Sequence, residues 1–251
     1  MQYKHIRIIE ELSMNAWPSY KIELYDKWLI RFSHQYTYRT NCVEQIGLSE
    51  IDINTKIDYC EQIYSDYGTP CNFKINPIIS EDFDPLLESR GYDIKHVTEV
   101  MTMSLAGFSI QPDPSVKVNI SDTITDDWIS GLFNINGTTN SLHKRIVPNM
   151  FKAIPKKTIV ASVTKDGRLV ASGLGILDRD ALGIYAIYTD ELYRGRGFAK
   201  AICTTIINRG IKLGAHYSYL QVVEGNIPAV NLYSSLGFKY DYTYWFRSKI
   251  I

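Results

Sequence analysis

Apolar positions along this chain change period repeatedly, and each change marks an element. Ile6, Ile9 and Leu12 recur at helical spacing, which predicts a short amphipathic helix over about 5–13 that Trp17-Pro18 ends. Residues 21–33 alternate instead. Ile22 and Leu24 precede a turn at Tyr25-Asp26-Lys27 and Trp28-Leu29-Ile30-Arg31-Phe32 follows it, so the stretch reads as a β-hairpin. Residues 36–43 read as a further strand. Ile57, Cys60, Ile63 and Tyr64 make one stripe of a helix over 54–67, with Gly68 past its end. A short strand at 72–75, a short helix at 85–89 and a long strand at 93–105 follow.

Gly107 to Ser115 holds two prolines and a glycine, and is read as a boundary. The expected division is 1–106, a linker 107–115, and 116–251. The second part predicts a strand at 116–120, a helix at 126–133 and a polar, turn-rich stretch at 134–149. Next come a hairpin of strands 158–164 and 169–177 about Lys165-Asp166-Gly167, and a buried strand at 182–188. A helix at 197–213, a strand at 217–223, a helix at 227–235 and a terminal strand at 239–247 complete the pattern. One echo joins the halves. Leu86-Leu87-Glu88-Ser89-Arg90-Gly91-Tyr92 parallels Leu232-Tyr233-Ser234-Ser235-Leu236-Gly237-Phe238, each leading into a strand, with Leu87 standing where Tyr233 does.

Composition narrows the function without naming it. With 45% apolar and 22% charged residues in 251, the chain can bury a core. Its 27 basic residues balance 27 acidic ones, which speaks against nucleic acid or an anionic membrane as the main partner. No apolar run reaches the length of a membrane span, and Met1 to Arg7 lead into no signal-like apolar region, so a cytoplasmic protein is expected. Cys42, Cys60, Cys71 and Cys203 show no metal-ligand spacing and read as reduced thiols; no metal is expected.

Chemistry concentrates after the strand at 182–188. The turn Thr189-Asp190-Glu191-Leu192-Tyr193 leads to Arg194-Gly195-Arg196-Gly197-Phe198-Ala199, where a helix begins. A glycine-rich turn at a helix start offers free N–H groups and the positive end of the helix dipole to an anion. Gly195 and Gly197 allow close backbone approach, and Arg194 and Arg196 add charge. The phosphate loop of nucleoside triphosphatases is absent, and the dinucleotide fingerprint fails at its third glycine.

What fits is Arg-x-x-Gly-x-Ala at Arg194, Gly197 and Ala199, which resembles the acyl-CoA pyrophosphate loop of the GNAT superfamily of N-acyltransferases. A second match lies downstream: the strand Leu220-Gln221-Val222-Val223, then Asn226, a short helix containing Tyr233, and Leu236-Gly237-Phe238. Together they cover about 116–247. The resemblance implies an α+β fold with a central mixed, mostly antiparallel sheet flanked by helices. The first half is expected to be a smaller, degenerate GNAT-like accessory domain lacking the glycine loop. Trp17-Pro18, Asp26-x-Trp28-Leu29-Ile30-Arg31 and Arg39-x-Asn41 resemble a leader domain attached to some GNAT proteins.

The implied reaction moves an acetyl group from acetyl-CoA to a primary amine of a small molecule or protein, in a monomer or homodimer. By the same resemblance the segment Arg194 to Ala199 holds the cofactor phosphates. Backbone groups of Tyr185 serve the thioester carbonyl, and those of Ile187 and Thr189 the pantetheine. Asn226 bonds the pantetheine arm or shapes the turn. Tyr233 is the candidate general acid and Glu224 the candidate base, although Glu224 is also suited to attracting a cationic substrate, to acting through water, or to simple solvation. His143, His216, Asp190 and Glu191 read as surface or structural groups. The alternative to an enzyme is a non-catalytic acyl-CoA binding or sensing module. Nucleic-acid binding through the Arg-Gly-Arg loop is a third, disfavoured by the zero net charge.

Overall fold

The structure, a computed structural model, describes residues 3–251. In chain order, its first half comprises α1 (Lys4–Ala16), β1 (Lys21–Tyr25), β2 (Trp28–Phe32), β3 (Val43–Gln45), α2 (Ile53–Asp66), β4 (Cys71–Ile75), α3 (Phe83–Ser89) and β5 (Asp93–Ser104). Its second half comprises β6 (Asn119–Ser121), α4 (Asp126–Asn136), α5 (Ser141–Lys152), β7 (Lys157–Lys165), β8 (Arg168–Asp178), β9 (Ala181–Thr189), α6 (Phe198–Lys212), β10 (Tyr217–Val223), α7 (Ile227–Leu236) and β11 (Lys239–Lys249).

Two sequence expectations fail. The strand expected over 36–43 does not form: a 3-10 turn at Tyr38–Thr40 leads to the much shorter β3, which begins only at Val43. The side chain of Asn41 takes over the hydrogen bonding that a ladder would supply. Its Oδ1 accepts from the backbone N–H of Ser33 at 2.7 Å and Gln35 at 2.9 Å, and its Nδ2 donates to the Thr37 carbonyl at 2.7 Å. The turn-rich stretch 134–149 instead contains most of α5. Asn140, read as a turn former, is its cap, accepting from the N–H groups of Leu142 and His143. Pro148 sits inside that helix, which survives because Ile146, Val147, Met150 and Phe151 are buried against the core.

All strands join one sheet, ordered β1-β2-β3-β4-β11-β5-β10-β9-β8-β7-β6. It is mixed and mostly antiparallel, as expected; only β3–β4 and β9–β10 run parallel. The centre holds an exchange. Strand β5, from the first half, pairs with β10 of the second, while β11, the chain's last strand, pairs with β4 of the first. β5 and β11 also pair with each other. The echoing segments seen in sequence are the two helix ends that launch these strands, through left-handed glycines at Gly91 (φ 85°) and Gly237 (φ 104°). The result is one continuous sheet that takes strands from both halves, and the stretch 107–115 runs outside it.

Helix α1 lies against the exchanged strands, its buried Ile6, Ile9 and Leu12 joining a core that includes Tyr242, Tyr244 and Phe246 of β11 and Tyr185 of β9. Within that contact sits a buried charge network. The Lys74 ammonium bonds Glu10 of α1 and lies 3.8 Å from Glu44, whose carboxylate also takes Arg31. Asn76 donates to Glu10 at 3.2 Å, and the Tyr242 hydroxyl donates to the same carboxylate. Two cations meet two anions, so the group is neutral as a whole. Burial pulls the Lys74 ammonium down, but Glu10 and Glu44 outweigh it and hold its pKa above the ordinary lysine value. All four cysteines are free and buried, and among the described residues no helix is long and apolar enough to cross a membrane.

Removing one member of such a network strands the others. Lys74→Met is expected to cost about 3–5 kcal/mol of stability in urea unfolding, because Glu10 keeps its charge without a cation. A loss under about 1 kcal/mol would show that water replaces the ammonium.

Candidate functional site

The site begins where two strands part. β9 and β10 pair only from Tyr217↔Ala181 to Leu220↔Ile184, although β9 runs on to Thr189 and β10 to Val223. On its other edge β9 slips against β8: Tyr185 faces Leu174 but Tyr188 faces Ser172, so one extra residue is accommodated between them. Ala186 is left-handed there (φ 50°), and its carbonyl accepts the Ser172 hydroxyl at 2.9 Å. The bulge bends β9 away from β10 and frees backbone groups beyond Ile184 from strand partners.

Helix α6 is set against this opening by glycines on the sheet. A Cβ on Gly173 or Gly175 of β8 would lie 2.4 Å from a methyl of Ile202 or Ile206, so the helix rests almost on the backbone. Gly210 of α6 admits Leu182 in the same way. The N-terminus of α6 therefore points at the end of β9. Gly197 caps it in the left-handed region (φ 75°), with no side-chain cap and no acidic residue in the first turn. The first bond into the helix is from Ala201 N–H to the Gly197 carbonyl, and the N–H groups of residues 195–200 find no acceptor. A Cβ on Gly195 or Gly197 would meet nothing within 4 Å, so it is the positive φ, not crowding, that calls for glycine.

A cleft of about 630 Å³ opens over these groups. Ile187 and Thr189 of β9 line one wall, Arg194 to Ala199 the base, and Asn226 and Tyr233 the other wall. Ten of the candidate residues are thus brought together here. Arg194 and Arg196 are exposed on the rim; Arg194 pairs with Glu191 at 3.2 Å, and Arg196 lies over the Tyr193 ring. Asn226 caps α7, its side chain accepting from Ala229 N–H at 3.3 Å. Tyr233 is 8% exposed, and burial pushes its phenol well above the ordinary tyrosine value. The Thr189 hydroxyl is buried and has no hydrogen-bond partner.

Two candidates lie elsewhere. The ring of Tyr185 turns to the opposite face, stacking on Trp17 at 5.9 Å and donating its hydroxyl proton to that of Tyr219; only its backbone borders the parting. Glu224 is exposed in the turn after β10 and does not line the cleft. Tyr188, Tyr193, Lys200, Pro228, Ala229 and Leu232 complete the lining and went unnoticed in sequence. The apolar members carry no chemical signature. Tyr188 stood in the apolar run, with nothing to show that a bulge would aim it into the opening. No group of histidine, cysteine and acidic side chains suited to a metal occurs among the described residues.

Free amides and guanidinium groups at a helix start, an uncovered strand edge and a buried phenol fit a ligand that is anionic at one end and amide-bearing along its length, as acyl-CoA is. The fold is that of the GNAT enzymes, and the protein is an N-acetyltransferase of this class. More narrowly, a family model described as "Probable histone acetyltransferase Rv0428c C-terminal" matches residues 4–246, and the chain belongs to that family. It is 25% identical over 238 residues to the uncharacterized N-acetyltransferase YobR of Bacillus subtilis (strain 168), covering 93% of this chain and 94% of YobR. A GCN5-related N-acetyltransferase from Kribbella flavida superposes with a TM-score of 0.72 at 11% identity, over 97% of this chain and 95% of that one. A tandem GNAT protein from the clavulanic acid biosynthesis pathway gives 0.63 at 10% identity, over 82% and 74%.

The close seat of α6 is testable on its own. Gly175→Ala is expected to lower stability by about 1–3 kcal/mol in thermal or urea unfolding, because its methyl overlaps Ile206. An unchanged melting temperature would mean that the helix is free to shift.

Proposed function

We propose that this chain transfers an acetyl group from acetyl-CoA to a primary amine by direct attack, with both substrates bound. The observation that carries the reading is the row of unpartnered N–H groups at residues 195–200 at the foot of the parted strands. There the amides of Gly195 to Ala199, with the Arg194 and Arg196 guanidiniums, take the diphosphate. Backbone groups of Ile187 and Thr189, released from strand pairing, take the pantetheine amides, and the Tyr185 backbone N–H takes the thioester oxygen. Asn226 holds the turn that closes the arm.

In the chemical step the amine nitrogen bonds the acetyl carbon, the carbon–sulfur bond breaks, and sulfur leaves with the electron pair. Tyr233 supplies the proton to sulfur, while the proton shed by the attacking nitrogen passes to solvent water, from which the phenolate recovers its own. Because burial raises its phenol, it enters the step protonated. Direct attack is favoured over an acyl-cysteine route because the nearby Cys203 is buried and its thiol is pushed up to about 12, leaving no thiolate. Glu224, exposed, would serve the amine only through water.

The first half reads as a degenerate copy of the same device. Its parallel pair β3–β4 corresponds to β9–β10, and α2 to α6. Where the second half leaves amides open, the first closes them with its own carboxylates. Asp26 accepts from the N–H groups of Ile51 at 3.0 Å and Glu50, and Asp52 caps Asn54 and Thr55. The Ile51 amide first, then Glu50 and Lys56, hold the Asp26 carboxyl below its ordinary range, so the anion at that helix start is permanent and internal.

Two measurements test the assignments. Arg194→Ala should raise the acetyl-CoA dissociation constant about tenfold by calorimetry, the value of one charge-assisted hydrogen bond; unchanged affinity would remove the loop from the diphosphate. Tyr233→Phe should lower kcat by about 10²–10⁴-fold while sparing acetyl-CoA affinity. A fully active variant would leave Tyr233 with a packing role only.

A further inference from the structure

On the face of the parting opposite the cleft stands a cation with no anion. Nearly every lysine and arginine in this protein that is not exposed has a carboxylate within salt-bridge distance. Arg31 has Glu44, Lys56 has Asp26, Lys74 has Glu10, and Arg247 has Asp84. Arg90, Lys156, Arg209 and Lys249 are paired too. Among the described residues Arg39, half-buried, is the exception. Holding an unpaired charge partly out of water is costly, so such a group marks a place where an anion is expected.

The position is built, not incidental. Arg39 belongs to the Arg39-x-Asn41 pattern. The Asn41 side chain pins the loop before it, including the left-handed His34 (φ 50°) and Gln35 (φ 60°). The loop thrusts Arg39 against β10, where its Nη1 donates to the Oε1 of Gln221. Gln221 is the first residue past the last β9–β10 pair, and its amide is itself fixed by Tyr244 and Ser13. The guanidinium also lies over the Trp17 ring, which stacks on Tyr185. With Nη1 engaged, the opposite edge, Nε and Nη2, makes no hydrogen bond. That edge matches the two oxygens of a carboxylate.

Resting on the acetyl-transfer reading above, we propose that the acceptor is a small amine that also bears a carboxylate, seated on the Nε–Nη2 edge of Arg39 with its amino group directed toward the parting at Tyr185. An acceptor so anchored enters from the side opposite acetyl-CoA, as attack on a thioester lying in the cleft requires. Tyr36, half-buried and paired edge-on with His143 at 5.4 Å, stands near both Arg39 and Tyr188.

The test uses the full chain with the common L-amino acids, β-alanine and 4-aminobutyrate, each against its own carboxamide. Binding to the CoA-loaded protein is measured by calorimetry and transfer from acetyl-CoA by thiol release. At least one acid should bind tenfold or more tightly than its amide. Arg39→Gln should bring that ratio to about one through the acid's dissociation constant and KM, and Arg39→Lys should fall between, with acetyl-CoA affinity confirming that each variant is folded. The proposal is overturned if no acid binds better than its amide, or if Arg39→Gln weakens acid and amide alike. Acids that bind through Arg39 and are never acetylated would leave the anion seat standing and sink the transferase reading instead.

Discussion

The structure depends on two strands that stop pairing. Hydrogen bonds between β9 and β10 end at Ile184 and Leu220, and everything chemical is arranged around the groups released there. A buried amide without a partner costs free energy comparable to a lost hydrogen bond, so the opening persists only where water or a ligand reaches it. The fold enforces it from both sides. The extra residue at Ala186, tied by Ser172, bends one strand, and the Gly173–Gly175 surface brings α6 down until its bare N-terminus faces the gap. The cleft is thus a property of the backbone, and its side chains trim it.

Much of this was legible because it is local. Arg194 to Ala199 announces itself through glycines and charge within six residues, and Asn226 and Tyr233 through the resemblance of their segment to the GNAT closing motif. What sequence concealed was whatever depends on distant partners. Alanine at 186 gives no sign of a left-handed backbone. Asn140 and Pro148 mark turns as readily as they mark a helix cap and a tolerated break. The misread strand at 36–43 was a loop held by one asparagine, whose role appears only when Ser33, Gln35 and Thr37 are seen around it. The exchange of β5 and β11 was invisible for another reason: a strand pattern fixes which face is buried, not which neighbour is chosen.

The two helix starts, α2 and α6, make an instructive contrast. Both face a parallel pair of strands and both carry free amides by geometry. In one, Asp26 and Asp52 occupy them from within the chain; in the other, no acidic residue reaches them. A single architecture therefore yields one helix end closed by the chain's own side chains and one left open, and the difference lies in where carboxylates are placed. The same rule separates Arg39 from the other shielded cations. Each of the other shielded cations has a carboxylate of the same chain beside it, and Arg39 has none among the described residues.

The central crossing of the sheet also governs when the molecule can exist. β4 and β5 both need β11 between them, and β11, the eleven residues Lys239–Lys249, lies far beyond both in the chain. A ribosome that has delivered the whole first half has made a polypeptide whose sheet still lacks its middle. Such long-range pairing is slow to form, because loop closure must be met before any contact rewards it. Closure therefore waits until residues 239–249 have emerged, and until then β4 and β5 present unpaired edges to their surroundings.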